Sequence, residues 1–502
     1  MSVHRIMGIE SEYGISSPTN PNSNPMVLSS QVVNAYADLT MPNRMKRMRW
    51  DYDVESPLRD ARGFDMSRAD ADPSQLTDED YGMANIVLKN GARFYVDHTH
   101  PEYASPEVTN PRDAALWDAA GDRIMQQSAN HASKLTGELI TVYKNNTDGK
   151  GVSYGTHENY QLARSTPFPA LVKYLTPFFV TRSVFAGAGR VGLGQEADRP
   201  GFQLSQRADF FEAEIGLETT LRRPIINTRD EPHANPDEFR RLHVIVGDAN
   251  MSQFANYLKL GTTSLVLSMI EDDFIDIDLD LHDPVSYMHV VSHDYQFNEI
   301  LTKRSGQTIS ALEVQETFIE LAQKYVVAFG KNDPMTMDVL SHWQRVISTL
   351  RTDPMSLANE LDWVAKFNIM DAYRKRDQAL WTDPRIETVD IQYADLRPEK
   401  GLALLLQAKG RMKTMFTDAE IMQAVSNPPE DTRAYFRGNC IRYFEEEVAA
   451  ASWDSIIFDL GSDQPMTRLN TTNARKGTKE LTQKLFEDHP TAKSFVSALS
   501  SE

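Results

Sequence analysis

The sequence predicts an α+β protein, and three features of its patterning point that way. The segment Ile6 to Ile15 alternates short apolar and polar residues with the period of two that a strand requires. The turn signal Asn90-Gly91 is followed by a strand-like run from Arg93 to Val96. Longer stretches then carry apolar residues at helical spacing: Arg112 to Leu135, about 20 residues beyond Asn250, Ile309 to Ala328 and Met335 to Leu361.

Taken in order, the first strand places Glu10 and Glu12 on the same side, and paired acids on one strand face invite a metal. Between Arg44 and about Gly82 the pattern lapses. A basic run (Arg44, Lys46, Arg47, Arg49) leads into Ser67-Arg68-Ala69-Asp70-Ala71-Asp72-Pro73-Ser74, which reads as a mobile loop of roughly 40 residues. The run from Arg93 then delivers Asp97 at its end, where a rigid sheet commonly holds an active-site acid. Leu139 to Lys144 is a second strand after the helix, and a polar loop runs on to His157. Ala186-Gly187-Ala188-Gly189-Arg190-Val191-Gly192 contains G-x-G-x-x-G, but the turn-rich stretch Leu193 to Gly201 follows where a dinucleotide site needs a helix. An ordinary glycine-rich loop is expected there. His243 to Val246 is strand-like, and the helix after Asn250 carries Leu258, Leu260, Leu265, Leu267 and Ile270 as a core element backing the sheet. Turns at Asn332-Asp333-Pro334 and Asp353-Pro354 join the later helices, and Asn427-Pro428-Pro429 interrupts the pattern. The expected organisation is a main domain over 1–428, with its insertion at about 44–82, and a small C-terminal domain over 429–502.

The chain holds 52 Lys and Arg against 71 Asp and Glu in 502 residues. A net charge of -19 repels a phosphate backbone unless basic residues gather on one face, so nucleic acid is not an expected partner. One cysteine, Cys440, excludes an intrachain disulfide and a thiolate-rich metal site. Glu10 falls where a signal peptide needs its apolar core, and the run Leu265 to Ile270 is far short of the ~18 to 20 apolar residues that span a bilayer. A soluble, cytoplasmic protein with no membrane partner is expected.

A site for Mg-ATP needs hard oxygen ligands, sometimes an imidazole, and arginines that hold phosphates. Glu10, Glu12, Glu102, His157-Glu158-Asn159 and His243 supply a dispersed acid and imidazole set, with Arg93, Arg207, Arg229 and Arg241 as cationic counterparts. Each has a plainer reading. Glu12 pairs equally well with an arginine, His233 reads as a loop hydrogen-bonder, Arg222-Arg223 and Arg240-Arg241 as solvated surface pairs, and Trp453 as core.

A string of segments in order does more. Gly8-Ile9-Glu10-Ser11-Glu12-Tyr13-Gly14, Asn90-Gly91-Ala92-Arg93-Phe94-Tyr95-Val96-Asp97, His100-Pro101-Glu102-Tyr103, Lys144-Asn145-Asn146-Thr147-Asp148 and Gly155-Thr156-His157-Glu158-Asn159-Tyr160 are followed by Ile226 to His233 and Arg241 to Asn250. Together they resemble the Pup ligase and Pup deamidase/depupylase family, glutamine-synthetase-like enzymes of the Pup-proteasome pathway. The resemblance implies a curved antiparallel sheet backed by helices, with a small C-terminal domain. One branch ligates the C-terminal glutamate of Pup to a protein lysine; the other deamidates Pup's C-terminal glutamine and cleaves the isopeptide bond. The long segment from Trp50 to Asp65 resembles the insertion of the second branch.

Carried over residue by residue, the resemblance implies Mg2+ ligation by Glu10, Glu102, His157 and His243, with Tyr95 beside the metal and Glu12 as a further ligand. ATP contacts are implied for Gly8, Arg93, Ser105, Asn159, Arg229, Arg241 and Trp453, and Asp97 becomes the catalytic aspartate with Arg207 beside the reacting group. Asp97 is then either a nucleophile giving an acyl-anhydride or a general base to water. Isopeptide hydrolysis runs downhill, so ATP or its phosphate organises the site instead of driving it. The rival readings are a ligase that activates Pup's glutamate and a non-catalytic Pup-binding scaffold. Pup and pupylated proteins are the implied partners, and because Pup is an acidic chain the Arg222-Arg223 and Arg240-Arg241 neighbourhoods are candidates for its groove.

Overall fold

A computed structural model describes residues 2–41, 48–71, 84–148, 151–192, 201–461 and 465–500. Its centre is a six-stranded sheet of β1 (Met7–Glu12), β2 (Asn85–Val87), β3 (Arg93–Asp97), β4 (His100–Ala104), β5 (Thr156–Ala163) and β6 (Phe239–Val244). The strands lie in the order β6-β5-β1-β4-β3-β2, and every neighbouring pair is antiparallel. One face is apolar: Ile9, Phe94, Val96, Tyr103, Tyr160, Leu162 and Leu242 are buried. Three helices back the sheet, α1 (Pro25–Thr40), α2 (Pro111–Thr136) and α4 (Gln253–Glu271), and α3 (Phe168–Ala186) packs on α4. Alternation along each strand turns the polar partners of these residues to the opposite face.

Local chemistry sets the helix ends. Asn110 caps α2 by accepting from the Asp113 amide, Pro111 occupies its first turn, and Gly137 closes it at φ 72. Ser252 caps α4, whose residues from Gln253 to Ile270 are all buried. Gly261 lets a neighbouring helix approach α4: a Cβ there would stand 2.6 Å from Val339 Cγ2.

The structure departs from the patterning in several places. The first strand stops at Glu12, because Tyr13 turns inward to donate its hydroxyl to Asp122 at 2.8 Å; Gly14–Ser16 then pairs separately with Thr141–Tyr143. The helix expected to run to Leu361 ends at Thr352, since Asp353-Pro354 forces a short 3-10 turn over Pro354–Leu357. In the G-x-G-x-x-G run, Arg190–Gly192 is a strand paired with Gly201–Gln203; the stretch 193–200, expected to be turn-rich, lies outside the described residues.

The insertion needs correction. Arg44, Lys46, Arg47 and the stretch from Asp72 to Gly82 lie outside the described residues, but 48–71 has structure of its own. Arg49–Trp50 joins a four-stranded sheet with Val448–Ala451, Ser455–Phe458 and Thr467–Asn470, pairing parallel to Ala450–Ala451. Arg59–Asp60 and Phe64–Asp65 form a hairpin whose first strand bridges to Arg229 through Asp60. Long-range pairing of this kind is invisible to local periodicity. No helix among the described residues is long and apolar enough to cross a membrane.

Candidate active site

The polar face of the sheet is assembled by register. Asp97 lies opposite His100 at the tip of the β3–β4 hairpin, where His98 takes φ 50 to make the turn. The next row runs Tyr95, Glu102, Glu12, and the row after it Arg93, Ala104, Glu10, His157. Beyond these come Gly8, Asn159, His243 and then Gln161, Arg241. Residues scattered over more than 230 positions thus share one surface because each sits at an even step along its own strand.

Two donor clusters form on this surface: Glu10, His157 and His243, and Glu12, Asp97 and Glu102, each set with ligand atoms within 4.8 Å of one another. Both ring nitrogens of His243 are buried without a hydrogen-bond partner. Burial, reinforced by Arg241, pushes the His243 imidazole well below its ordinary range and keeps it neutral, the form that ligates metals. Burial pushes the Glu102 carboxyl well up, and Asp97, Glu12 and Glu10 add to it by repulsion. Burial also opposes ionisation of Glu12, but His100, His157 and the Gly155 amide outweigh it and hold that carboxyl at about 2. Neutral imidazole nitrogens with no protein partner, beside crowded carboxylates, form a donor set that fits a hard divalent cation. Gly155 is obligatory here: its amide donates to Glu12 Oε1 at 2.6 Å, and a Cβ would fall 2.3 Å from His157 Nε2.

Towards β5 and β6 the surface opens into a cavity of about 80 Å³ that brings together Gly8, Ser105, Asn159, Arg241 and Trp453. Asn159 is fixed from both sides, donating to Glu10 at 2.9 Å and accepting from Arg241 Nη1 at 2.7 Å. Ser105 Oγ accepts the Ile9 amide at 3.0 Å, and a Cβ on Gly8 would press on that oxygen at 3.3 Å. Trp453 packs edge-on against Trp50 at 5.4 Å, while buried Arg437 lies under its ring and donates to its carbonyl at 2.9 Å.

A second cleft of about 120 Å³ contains Glu10, Arg93, Tyr95, Asp97, Glu102, His157, Arg229, Arg241 and His243, and Trp453 borders both spaces. The Arg93 guanidinium lies 3.9 Å from the ring centres of both Trp50 and Tyr95. Arg229 presents buried Nε and Nη2 with no partner, a geometry suited to a bidentate oxyanion. Asp97 is partly exposed, with His98 Nδ1 at 3.0 Å.

Two expected site residues, Glu12 and Arg207, line neither cleft; Glu12 still joins the donor cluster with Asp97 and Glu102, and Arg207 joins neither cluster. Arg207 is buried, donates to the Ile245 carbonyl and lies 3.4 Å from Ser153 Oγ; burial pushes it down to about 9. Glu12 acts on it only as a nearby opposite charge. Conversely, Tyr52, Glu55 and Glu231 line the second cleft, Arg433 lines the first, and His233, read as a loop residue, lines both at φ 45. Burial pushes the Glu55 carboxyl up although Arg93 stands 3.9 Å away. The aromatic and acidic run from Trp50 to Glu55 and the family-like segment Ile226 to His233 offered a signal for all of these but Arg433.

A family model described as "Pup-ligase protein" matches residues 5–457. A protein named "Depupylase" from Acidothermus cellulolyticus is 55% identical over 500 residues, covering 99% of each chain. A "Pup deamidase/depupylase" from Mycolicibacterium smegmatis is 50% identical over 498 residues, covering 99% of this chain and 100% of that one. Among solved structures, the ligase PafA in complex with Pup superposes with a TM-score of 0.79 at 31% identity, over 97% of this chain and 92% of that one. PafA in complex with ADP gives 0.73 at 34% identity, over 80% and 90%. The chain therefore belongs to the Pup-ligase protein family.

Proposed function

We propose that this chain is a Pup deamidase and depupylase, hydrolysing the C-terminal glutamine amide of Pup and the isopeptide bond between Pup and a protein lysine. The observation that carries the chemistry is the convergence of Asp97 with Glu12 and Glu102 beside the Glu10, His157, His243 cluster. The hydrolytic branch is favoured over ligation because the relatives named for depupylation match essentially end to end at 50 to 55% identity, while the ligase structures stand at 31 to 34%. An acid held at a strand end inside a buried polar cleft is machinery that a passive scaffold has no use for.

Glu10, His157 and His243, with Glu12 and Glu102 opposite, would hold divalent cations, Mg2+ in this reading, which when bound polarise a carbonyl and balance phosphate charge. Tyr95 orients Glu102. Gly8, Ser105, Asn159, Arg241 and Trp453 line the space suited to the base and ribose of ATP, a role supported by a family ligase solved with ADP. Arg93 and Arg229 are placed for phosphate or for the substrate's terminal carboxylate. Residues 429–502 act as the small C-terminal domain that supplies Trp453 and Arg433 to the nucleotide side.

An amide resists attack, so the site must supply both an attacker and a proton for the departing nitrogen. Asp97 supplies the first, either by adding its carboxylate to the carbonyl carbon and forming an anhydride that water then opens, or by taking a proton from a water that adds directly. In both routes the C–N bond breaks and the nitrogen leaves protonated, as ammonia or as the lysine amine. His98, at 3.0 Å from Asp97, is positioned to exchange that proton.

The test is an incubation with Mg-ATP and Pup ending in glutamine. Ammonia release that disappears in Asp97→Asn supports the reading. Strict dependence on Pup ending in glutamate, with conjugate formation and one ADP per conjugate, replaces it with the ligase.

A further inference from the structure

His233 stands where the two clefts of the site meet. Four residues line both spaces: Glu10, His233, Arg241 and Trp453. Three of them already have a role or a partner. Glu10 belongs to the donor cluster with His157 and His243 and accepts from Asn159 at 2.9 Å. Arg241 donates to the Glu231 carbonyl at 2.6 Å and to Asn159 Oδ1 at 2.7 Å. Trp453 packs against Trp50, and its ring nitrogen can only donate.

The His233 imidazole, by contrast, makes no hydrogen bond and no ring contact among the described residues, although it is partly buried. Its backbone lies at φ 45, in the left-handed region that a residue with a Cβ adopts at a cost. The chain just before it is pinned in place, since Glu231 accepts from Arg241 through its carbonyl and from the Ser56 amide at 2.5 Å through its side chain. The strained turn thus delivers an uncommitted ring to the junction. Burial pushes this imidazole well below its ordinary range; Arg241, Arg433 and Arg93 add to the effect by repulsion, and Glu107 acts weakly against it. A neutral imidazole carries one N–H donor and one acceptor nitrogen.

We propose that His233 reads a ribose hydroxyl of the bound nucleotide, an assignment that rests on the ATP site of the reading above. The sugar is the one part of a nucleotide bonded to both base and phosphate, so a group that borders the Trp453 cavity and the Asp97 cleft alike lies level with it. A hydroxyl both donates and accepts, which matches a neutral imidazole. Phosphate oxygens only accept, and cations such as Arg93 and Arg229 in the second cleft suit them better. His233 therefore sets a preference for the ribonucleotide over its deoxy forms. Sites built on a hydrogen bond discriminate well in this way, because the analogue that lacks the partner leaves a buried polar group unpaired.

Calorimetric titration of the full-length protein with Mg-ATP and with its two monodeoxy forms, each lacking one ribose hydroxyl, reads the preference without turnover. Wild type should bind ATP about tenfold more tightly than one of the two deoxy forms, the worth of one hydrogen bond. His233→Gly removes the ring and suits the left-handed backbone. In that variant ATP should bind about tenfold more weakly while the same deoxy form stays within about twofold of wild type, so the preference disappears. Equal affinities in wild type overturn the proposal, and so does a preference that survives in His233→Gly. Should the glycine variant fail to fold, His233→Phe keeps a ring of similar size without either nitrogen; the preference must vanish there too, and its survival overturns the proposal. A wild type that binds no ATP refutes the nucleotide site and this assignment with it, whereas ATP binding without ammonia release from Pup ending in glutamine refutes the hydrolase reading alone.

Discussion

The Tyr95 hydroxyl donates to Oε1 of Glu102 at 2.5 Å, joining two residues directly opposed across β3 and β4. The bond fixes which way the Glu102 carboxylate faces, and the Tyr95 ring also supports Arg93 at 3.9 Å. Tyr95→Phe keeps the ring and removes the bond. The apparent affinity for the activating metal should fall about 10- to 100-fold, as when other groups that orient a ligand are lost. A metal titration of activity reads this, and saturating metal should restore most of the rate.

Gly155→Ala tests the tightest point of the site. The added methyl would lie 2.3 Å from His157 Nε2 and 2.7 Å from Glu12 Oε1, so both acceptors must move. Activity should fall at least 100-fold, while the fold, which loses about 1 to 3 kcal/mol to overpacking, persists by circular dichroism. Near-normal turnover in the variant would rule out this geometry.

Trp453→Ala should weaken ATP binding by about 10- to 100-fold, the equivalent of ~1 to 3 kcal/mol for one base stacked on an aromatic ring. Calorimetric titration with nucleotide measures it. The rate at saturating ATP should change little, because Asp97 and the acids around it do not depend on the indole.

Glu107 governs acid stability. Burial alone pushes its carboxyl up, but Arg437 and Arg433 outweigh burial and hold it down at about 2. Its folded value is therefore below its unfolded one. The stability it contributes is complete above the ordinary carboxylate range and is lost as pH falls from there through about 2. Glu107→Gln should cost about 3 to 5 kcal/mol near neutrality, because two buried cations lose their partner. The gap between variant and wild type should narrow on acidification in urea melts taken from pH 7 to pH 3.

The acids and arginines of the sheet were legible in the sequence because alternation is a local property. Once Glu10 and Glu12, or Arg93, Tyr95 and Asp97, lie on strands, their shared face follows. His233, Glu55 and Arg433 were not legible as site residues. They reach the clefts from loops and from a remote helix, and their positions are set by contacts hundreds of residues away, such as Arg437 with Gly91. Arg207 shows the complementary limit: its charge suggested a place beside the reacting group, but sequence does not reveal that the fold buries it and turns Nη1 to the Ile245 carbonyl. The insertion looked structureless because its short strands pair with partners near residue 450 and residue 229, beyond the reach of any window of local sequence.

The pairing of the Trp50 segment with the Val448–Ala451 strand has a consequence for biosynthesis. Arg437 meets Gly91 across 346 positions of chain, and Ser455 meets Asp51 across 404. At a ribosomal pace of about 5 to 20 residues per second, roughly 20 to 70 s separate the emergence of β3 from that of Trp453. For nearly all of that interval Glu107 has neither of its arginines, and throughout it the cavity that Trp453 lines lacks a wall. A nascent or truncated chain therefore carries Asp97 beside an unfinished cavity, and the two clefts are complete only as the last portion of the chain is delivered.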